Sequence, residues 1–171
     1  YSPKSMVNDY RNLVQQNWRN KDKKQKELYL VKSSLFDSDV EMAVKGIKSK
    51  IDIKDSLVRN FAVTHSLDNF DDHYHKYGYY VRFLSLFKYI NSHFKYVADA
   101  QRDEYYATAR ETIESKMGGD CDDHTILMIS AMRNIGARCR MVLSTDHVYP
   151  ELYCGDKKTF LKIQTAITEL F

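Results

Sequence analysis

The stretch GGDCDDHTILMISAMRNIG, residues 118–136, constrains the fold more than any other part of the chain. Asp120 is a strong helix N-cap, and Asp123 stands three residues later, where its carboxylate can accept from the cap's own N–H. Gly136 supplies the expected C-terminal stop. Apolar residues between these signals recur at helical spacing: Ile126, Leu127, Ile129 and Met132. The sequence therefore predicts a buried helix that begins at Cys121 and ends before Gly136.

The residues on either side predict an α+β fold. Before this helix, apolar spacing predicts short amphipathic helices in NDYRNLVQQNW, capped at Asn8 or Asp9, in DSDVEMAVKGIKSK and in KDSLVRNFAV. The aromatic run FDDHYHKYGYYVRFLSLFKYINSHFKY predicts one long helix that ends near His93. After it, ARCRMVL and HVYPELYC alternate as strands do, and KTFLKI suggests a third strand. We expect helices, then the buried helix, then an antiparallel sheet.

Composition excludes several classes of protein. The chain has 171 residues, of which 43% are hydrophobic and 29% charged, as in a folded globular domain. A net charge of +3 is too small to indicate a nucleic-acid partner. No run reaches the roughly 18–20 apolar residues of a membrane span. We therefore expect a soluble protein with no membrane span and no nucleic-acid partner.

Cys121 at the start of the buried helix is the candidate reactive group. A helix N-terminus favours a thiolate and offers unpaired N–H groups to a developing oxyanion, whereas nearby carboxylates raise a thiol's pKa. A cationic partner is therefore needed, and His147, at the start of HVYPELY, is the best candidate. We expect His124, three residues after Cys121, to have a capping or packing role.

Three alternatives stay open. Cys121 and His147 are also residue types that pack or support structure without chemistry. Asp120, Asp122, Asp123 and His124, together with His147, could hold a cation, but consecutive residues on one helix turn point apart and cannot close a coordination sphere by themselves, so we expect no metal. The third alternative is an interaction module without catalysis. Because no phosphate loop or dinucleotide fingerprint is present, no cofactor is expected.

GGDCDDHTILMISAMRNIGARCRMV followed by HVYPELY resembles the transglutaminase-like domain of the papain-type cysteine hydrolase superfamily. The resemblance covers roughly residues 75–155 and implies that Cys121 is the nucleophile and His147 the general base and acid. It further implies acyl transfer from, or hydrolysis of, amide bonds in a protein or peptide substrate. Asp120, Asp122 and Asp123 match the acidic positions around the nucleophile.

The resemblance also implies an Asp or Asn on the strand after His147, and none is found there. Asp156 lies too early, in what we interpret as a hairpin turn, Glu151 lies out of reach along the strand, Glu169 would need a folded-back helix, and Gln164 is a weaker substitute. We expect the orienting acid outside these 171 residues, in a longer protein. Residues 1–70 are predicted to form a helical N-terminal extension, and residues 71–171 the transglutaminase-like domain.

Overall fold

The computed structural model describes residues 38–98, 105–144 and 147–171. The helix predicted near Asn8 lies outside these ranges. The chain divides into two compact units, Tyr1–Val44 and Lys45–Phe171. The helices are α1 (Ser38–Lys50), α2 (Ser56–His65), a 3₁₀ turn (Asp71–His73), α3 (Tyr74–Tyr77), α4 (Tyr80–His93), α5 (Ala109–Glu114), α6 (Cys121–Asn134) and α7 (Lys157–Leu170). The strands are β1 (Lys95–Tyr96), β2 (Gly118–Gly119), β3 (Cys139–Leu143) and β4 (Val148–Leu152).

Helix α6 lies at the centre of the second unit. Its residues from Thr125 to Met132 are all buried, so the helix is covered on every side. Helices α2 and α5 and the strands β3 and β4 pack against it. A helix without a solvent face is typical of a core element, because only burial stabilises apolar residues all round its circumference. The predicted helix from Cys121 to before Gly136 is confirmed, and Gly136 adopts a φ of +88° after its end.

Strands β3 and β4 form an antiparallel hairpin on α6. Cys139 pairs with Leu152 and Leu143 with Val148, so the two strands predicted from ARCRMVL and HVYPELYC are confirmed. Thr125 of α6 donates its hydroxyl to the backbone oxygen of Val148 at 3.2 Å, which joins the helix to the hairpin. Together with the helices, this hairpin confirms the α+β fold class, with a helix packed on an antiparallel sheet.

The third predicted strand is wrong: KTFLKI lies in helix α7. Ile163 and Ala166, three residues apart, are the buried residues of α7, so helical periodicity prevails over the β-branched character of the segment. Asp156 is the N-cap of this helix and accepts from the N–H of Thr159 at 2.8 Å. The hairpin turn expected at Asp156 is therefore a helix start, and the chain does not end in a sheet.

The single aromatic helix predicted before His93 is two helices. Gly78, at φ +66° and ψ −150°, ends α3, and α4 begins at Tyr80. This backbone conformation is open to glycine and strained for other residues, which explains the break. The predicted end at His93 is confirmed, and the aromatic stripe packs inward, with Phe83 and Ile90 buried.

Helices α1 and α2 confirm the predictions from DSDVEMAVKGIKSK and KDSLVRNFAV. The side chain of Asp55 caps α2 by accepting from the N–H groups of Leu57 and Val58. Val58 and Ala62 are buried in the same core cluster as residues of α6. Residues 56–65 therefore belong to the second unit and share its core. A domain boundary after residue 70 stays a prediction.

Candidate functional site

The N-terminus of α6 is built as a reciprocal cap. Asp120 accepts from the N–H of Asp122 at 3.1 Å, and Asp123 accepts from the N–H of Asp120 at 3.4 Å. Asp123 also accepts from the N–H of Ala107 at 2.7 Å, so its buried carboxylate ties α6 to the segment before α5. The predicted capping roles of Asp120 and Asp123 are confirmed. Cys121 is the first residue of the helix.

The chain reaches Cys121 through a closely held segment. Lys116 and Met117 both have a φ of +65°, a left-handed conformation that is strained in residues other than glycine. Strand β2 then pairs in parallel with β1, where the N–H of Lys95 donates to Met117 and that of Val97 to Gly119, each at 2.7 Å. Strands of two residues have no periodic signal, so β1 and β2 are not among the predicted elements.

The thiol of Cys121 is partly buried and faces the hairpin. Burial raises the pKa of Cys121, and the carboxyl groups of Asp120 and Asp122 raise it further. The nearby backbone of Val148 lowers the pKa of Cys121 and offsets part of this rise. The helix N-terminus therefore does not by itself make Cys121 a thiolate, in keeping with the expectation that a cationic partner is needed.

Asp122 is buried directly beside the carboxyl group of Asp120. Burial, followed by a hydrogen bond with Asp120, raises the pKa of Asp122 to about 8, so its carboxyl group is protonated at neutral pH and donates to Asp120. Ligand atoms of Asp120, Cys121 and Asp122 lie within 4.8 Å of one another. A shared proton between Asp120 and Asp122 lowers the negative charge beside the thiol, which the sequence did not predict.

His147 lies in the connection between β3 and β4 of the hairpin. It directly precedes Val148, and its backbone oxygen accepts from the N–H and the hydroxyl of Ser144 at 2.8 and 3.0 Å. Its imidazole is exposed and stacks near Tyr149, with 6.2 Å between ring centroids. Among the hydrogen bonds of the described residues, none joins Cys121 to His147. The Cys121 thiol therefore lies near the backbone of Val148, the residue after His147. The imidazole of His147 is exposed.

His124 is the second histidine at this site. Its ring packs edge-on against Phe94, with 4.8 Å between centroids, and its Nε2 is buried with no hydrogen-bond partner among the described residues. Burial, together with the charge on His147, lowers the pKa of His124 to about 4. His124 is therefore neutral at pH 7 and lies within electrostatic range of His147, which the helical spacing from Cys121 alone does not indicate.

The carboxylates considered as a third member have other partners. Asp156 caps α7, and Glu151 forms an ion pair with Arg140 across the hairpin, at 2.5 Å. Glu169 does lie on a helix, α7, where it pairs with Lys76 and accepts from the hydroxyl of Tyr77. No hydrogen bond of the described residues joins any of these carboxylates to His147.

No described helix is both long and apolar enough to cross a membrane. Neither the comparison with curated proteins nor that with solved structures found a match. The family model of the transglutaminase-like superfamily matches residues 76–163, which is more than half of the chain and includes α4, α6 and the hairpin. The chain belongs to the transglutaminase-like superfamily.

Proposed function

We propose that the protein transfers or hydrolyses acyl groups of amide bonds in a peptide or protein substrate, with Cys121 as nucleophile and His147 as base. The observation that supports this most directly is the position of Cys121 at the first residue of α6, where the backbone of Val148 lies close enough to the sulfur to lower its pKa. Val148 directly follows His147, and the family match includes both Cys121 and His147. We expect the exposed imidazole of His147 to reach the sulfur by side-chain rotation, which is fast in exposed residues.

In this mechanism His147 takes the thiol proton as the sulfur attacks the carbonyl carbon. The carbonyl π bond breaks, and its electrons form an oxyanion that N–H groups at the start of α6 can stabilise. The oxyanion then re-forms the carbonyl, the C–N bond breaks, and His147 gives its proton to the leaving amine. Water or a second amine attacks the thioester, which releases Cys121 as a thiol.

The raised pKa of Cys121 favours base catalysis over a resting ion pair. A thiol that is protonated at rest is a weak nucleophile, so it depends on a base at the moment of attack. The protonated Asp122 supports this arrangement, because a second full negative charge beside the sulfur would make deprotonation still harder. The orienting acid for His147 stays a prediction.

The alternative is a transglutaminase-like interaction module that has lost its chemistry. The exposed imidazole of His147 and the raised pKa of Cys121 are compatible with it. The two functions differ in the reactivity of the thiol, because a module does not need Cys121 to react faster than the other cysteines. Thiol labelling therefore distinguishes them without knowledge of the substrate.

The experiment measures iodoacetamide labelling of each cysteine by peptide mass spectrometry between pH 6 and 9. We expect Cys121 to react faster than Cys139 and Cys154, because in this proposal His147 serves as its base, whereas burial raises the pKa of Cys139 to about 11 and raises that of Cys154 at positions outside the proposed mechanism. His147→Ala should slow the labelling of Cys121 at pH 6–7 more than His124→Ala does. Equal labelling of the three thiols, or a larger effect of His124→Ala, would count against the proposal.

Turnover is tested in parallel with fluorescein-labelled casein for hydrolysis and with dansylcadaverine for amine transfer. Cys121→Ser should abolish either activity, whereas Cys139→Ser makes the same atomic change at a thiol outside the proposed mechanism. Each assay is run with a chelator and with added Ca²⁺, so that an ion at Asp120, Cys121 and Asp122 is not mistaken for the chemistry. Activity that survives Cys121→Ser would overturn the nucleophile assignment.

A further inference from the structure

A groove of about 400 Å³, whose lining residues do not include Cys121, lies on the surface formed by α2, α4 and the turn after α5. We call it the basic groove and define it by Phe61, His65, Tyr89, His93, Lys95 and Lys116. None of the described residues that line it is acidic. It adjoins a second groove that shares Phe61 and His65.

The basic side chains of the groove differ in whether they have an acidic partner. His65 is bonded through Nδ1 to Asp68 at 2.5 Å, whereas Lys95 and Lys116 are exposed and form no ion pair with any described residue. In the adjoining groove, Arg110 is already paired with Asp55. The unpaired positive charge at the rim therefore comes mainly from Lys95 and Lys116, and it is complementary to an anion.

The backbone holds these two lysines side by side. The N–H of Lys95 donates to the oxygen of Met117, the residue after Lys116, at 2.7 Å. Lys116 in turn lies in a turn closed by two hydrogen bonds, from its own N–H to Ile113 and from that of Met117 to Thr112. Because the backbone is held at both lysines, one on β1 and the other in the turn before β2, the two side chains start from neighbouring positions and their ammonium groups can reach neighbouring carboxylates.

The aromatic rings of the groove are stacked on one another. The ring centroids of His65 and Tyr89 are 3.5 Å apart at an interplanar angle of 12°, and those of Tyr89 and His93 are 4.1 Å apart at an interplanar angle of 21°. Phe61 meets His65 and Tyr89 edge-on. Ring faces that stack on one another are not open to the bases of a single-stranded nucleic acid. Proteins bind such strands by stacking the bases on aromatic faces. The ring edges, which carry partial positive charge, suit carboxylates and apolar side chains.

We propose that the basic groove binds an extended acidic segment of another polypeptide, with its carboxylates at Lys95 and Lys116 and its apolar side chains against Phe61. Two exposed ammonium groups fit a few carboxylates and fall short of the row of charges that a phosphate backbone presents. This binding does not use the Cys121 thiol, so it is independent of the proposed chemistry.

The test is fluorescence anisotropy of a fluorescein-labelled peptide of alternating glutamate and leucine, with full-length Cys121→Ser protein so that no cleavage occurs. We expect saturable binding that weakens with salt, and a loss of about fivefold in affinity for the double variant Lys95→Gln, Lys116→Gln. The matched control, Lys157→Gln with Lys158→Gln, removes the same charge from exposed positions on α7 and should change affinity less than about twofold.

Four outcomes would overturn the proposal. They are no saturable binding of the acidic peptide, equal weakening in both double variants, equally tight binding of an alternating lysine and leucine peptide, and tighter binding of labelled oligothymidylate. Urea unfolding of each variant verifies that the fold is retained. Because the probe protein lacks the Cys121 thiol, loss of binding leaves the proposed chemistry untouched, and loss of turnover leaves this binding untouched.

Discussion

Two carboxyl groups flank Cys121 in the chain, and burial distinguishes them. Asp122 is buried and has a pKa of about 8, so it is neutral at pH 7 and charged above pH 8. Both groups raise the pKa of Cys121 when charged. The charge that opposes thiolate formation at neutral pH is therefore expected to come from Asp120, whose replacement by Asn keeps the helix cap.

Asp120→Asn is predicted to raise the rate of Cys121 alkylation at pH 7 by at most about threefold, because it removes a negative charge near the sulfur but also removes a cause of the raised pKa of Asp122, which then ionises more readily. Asp122→Asn is the matched control, and it should change the rate little at pH 7 because it replaces one neutral group with another. At pH 9 it should accelerate the reaction, since Asp122 is then ionised in the unaltered protein. Alkylation rates from mass spectrometry test this, and equal acceleration by both variants at pH 7 would contradict it.

His124 is predicted to make the protein sensitive to acid. Its folded pKa of about 4 lies below the ordinary value of 6.5, so the unfolded state binds more protons between these limits. The free energy of unfolding therefore falls as the pH drops from 6.5 to 4. Between pH 7 and pH 4, the free energy of unfolding should fall by about 2 kcal/mol less in His124→Gln than in the unaltered protein.

Urea unfolding at pH 7, 5 and 4 measures this difference. His75→Gln is the control, because His75 is an exposed histidine on α3 and lies on another element. An unchanged pH dependence in His124→Gln, or the same change in His75→Gln, would show that the buried imidazole of His124 does not cause the acid sensitivity.

At the scale of elements, the junction between β2 and α6 leaves no space at Gly119. A Cβ placed there would lie 2.5 Å from Oδ2 and 2.6 Å from Cβ of Asp123. Asp123 cannot move aside without losing its bond to Ala107. Gly119→Ala is therefore predicted to destabilise the protein by about 2 kcal/mol.

Gly118→Ala is the matched control for this prediction. Its nearest non-neighbouring atom would be 3.7 Å from the added Cβ, an ordinary contact. Urea midpoints of the two variants should differ clearly, with Gly118→Ala close to the unaltered protein. If both variants have the same midpoint, the close approach between Gly119 and Asp123 does not restrict the residue at this position.

Local signals explain which elements could be predicted from the sequence. Asp120, the apolar spacing and Gly136 each act over a few residues, and α6 was predicted correctly from its first residue to its stop. The strand predicted from KTFLKI was wrong because a segment of six residues is too short to distinguish a strand period from a helical one. The longer segment is helical, with Ile163 and Ala166 buried on one face. Strands β1 and β2 depend on pairing between distant segments, which leaves no local pattern.

At the scale of the whole molecule, the site could be predicted in its residue types and only partly in its environment. The sequence predicts the opposing charges around Cys121, and the structure agrees that burial and carboxylates raise its pKa. The proton of Asp122 and the neutral state of His124 depend on burial in three dimensions. Such burial depends on residues that are distant in the chain, as where Phe94 packs against His124, so residue spacing cannot show it.

The place of α2 in the molecule leads to the last prediction. Val58 is 1% exposed and belongs to the same core cluster as Leu127 of α6. Val58→Ala should therefore lower the free energy of unfolding of the domain that carries Cys121 by about 2 kcal/mol. Val63→Ala makes the same atomic change on the same helix at a position 44% exposed, and should shift it by less than about 0.5 kcal/mol.

The readout is the urea concentration at which Cys139 becomes open to alkylation, because this thiol lies on β3 and is protected in the folded state, where burial raises its pKa to about 11. It reports the hairpin beside α6 and is distant in sequence from α2. A lower midpoint for Val58→Ala than for Val63→Ala would place residues 56–65 in the folding unit of the site. Identical midpoints would instead support a separate extension that ends near residue 70, because the core of such an extension could loosen without unfolding the hairpin.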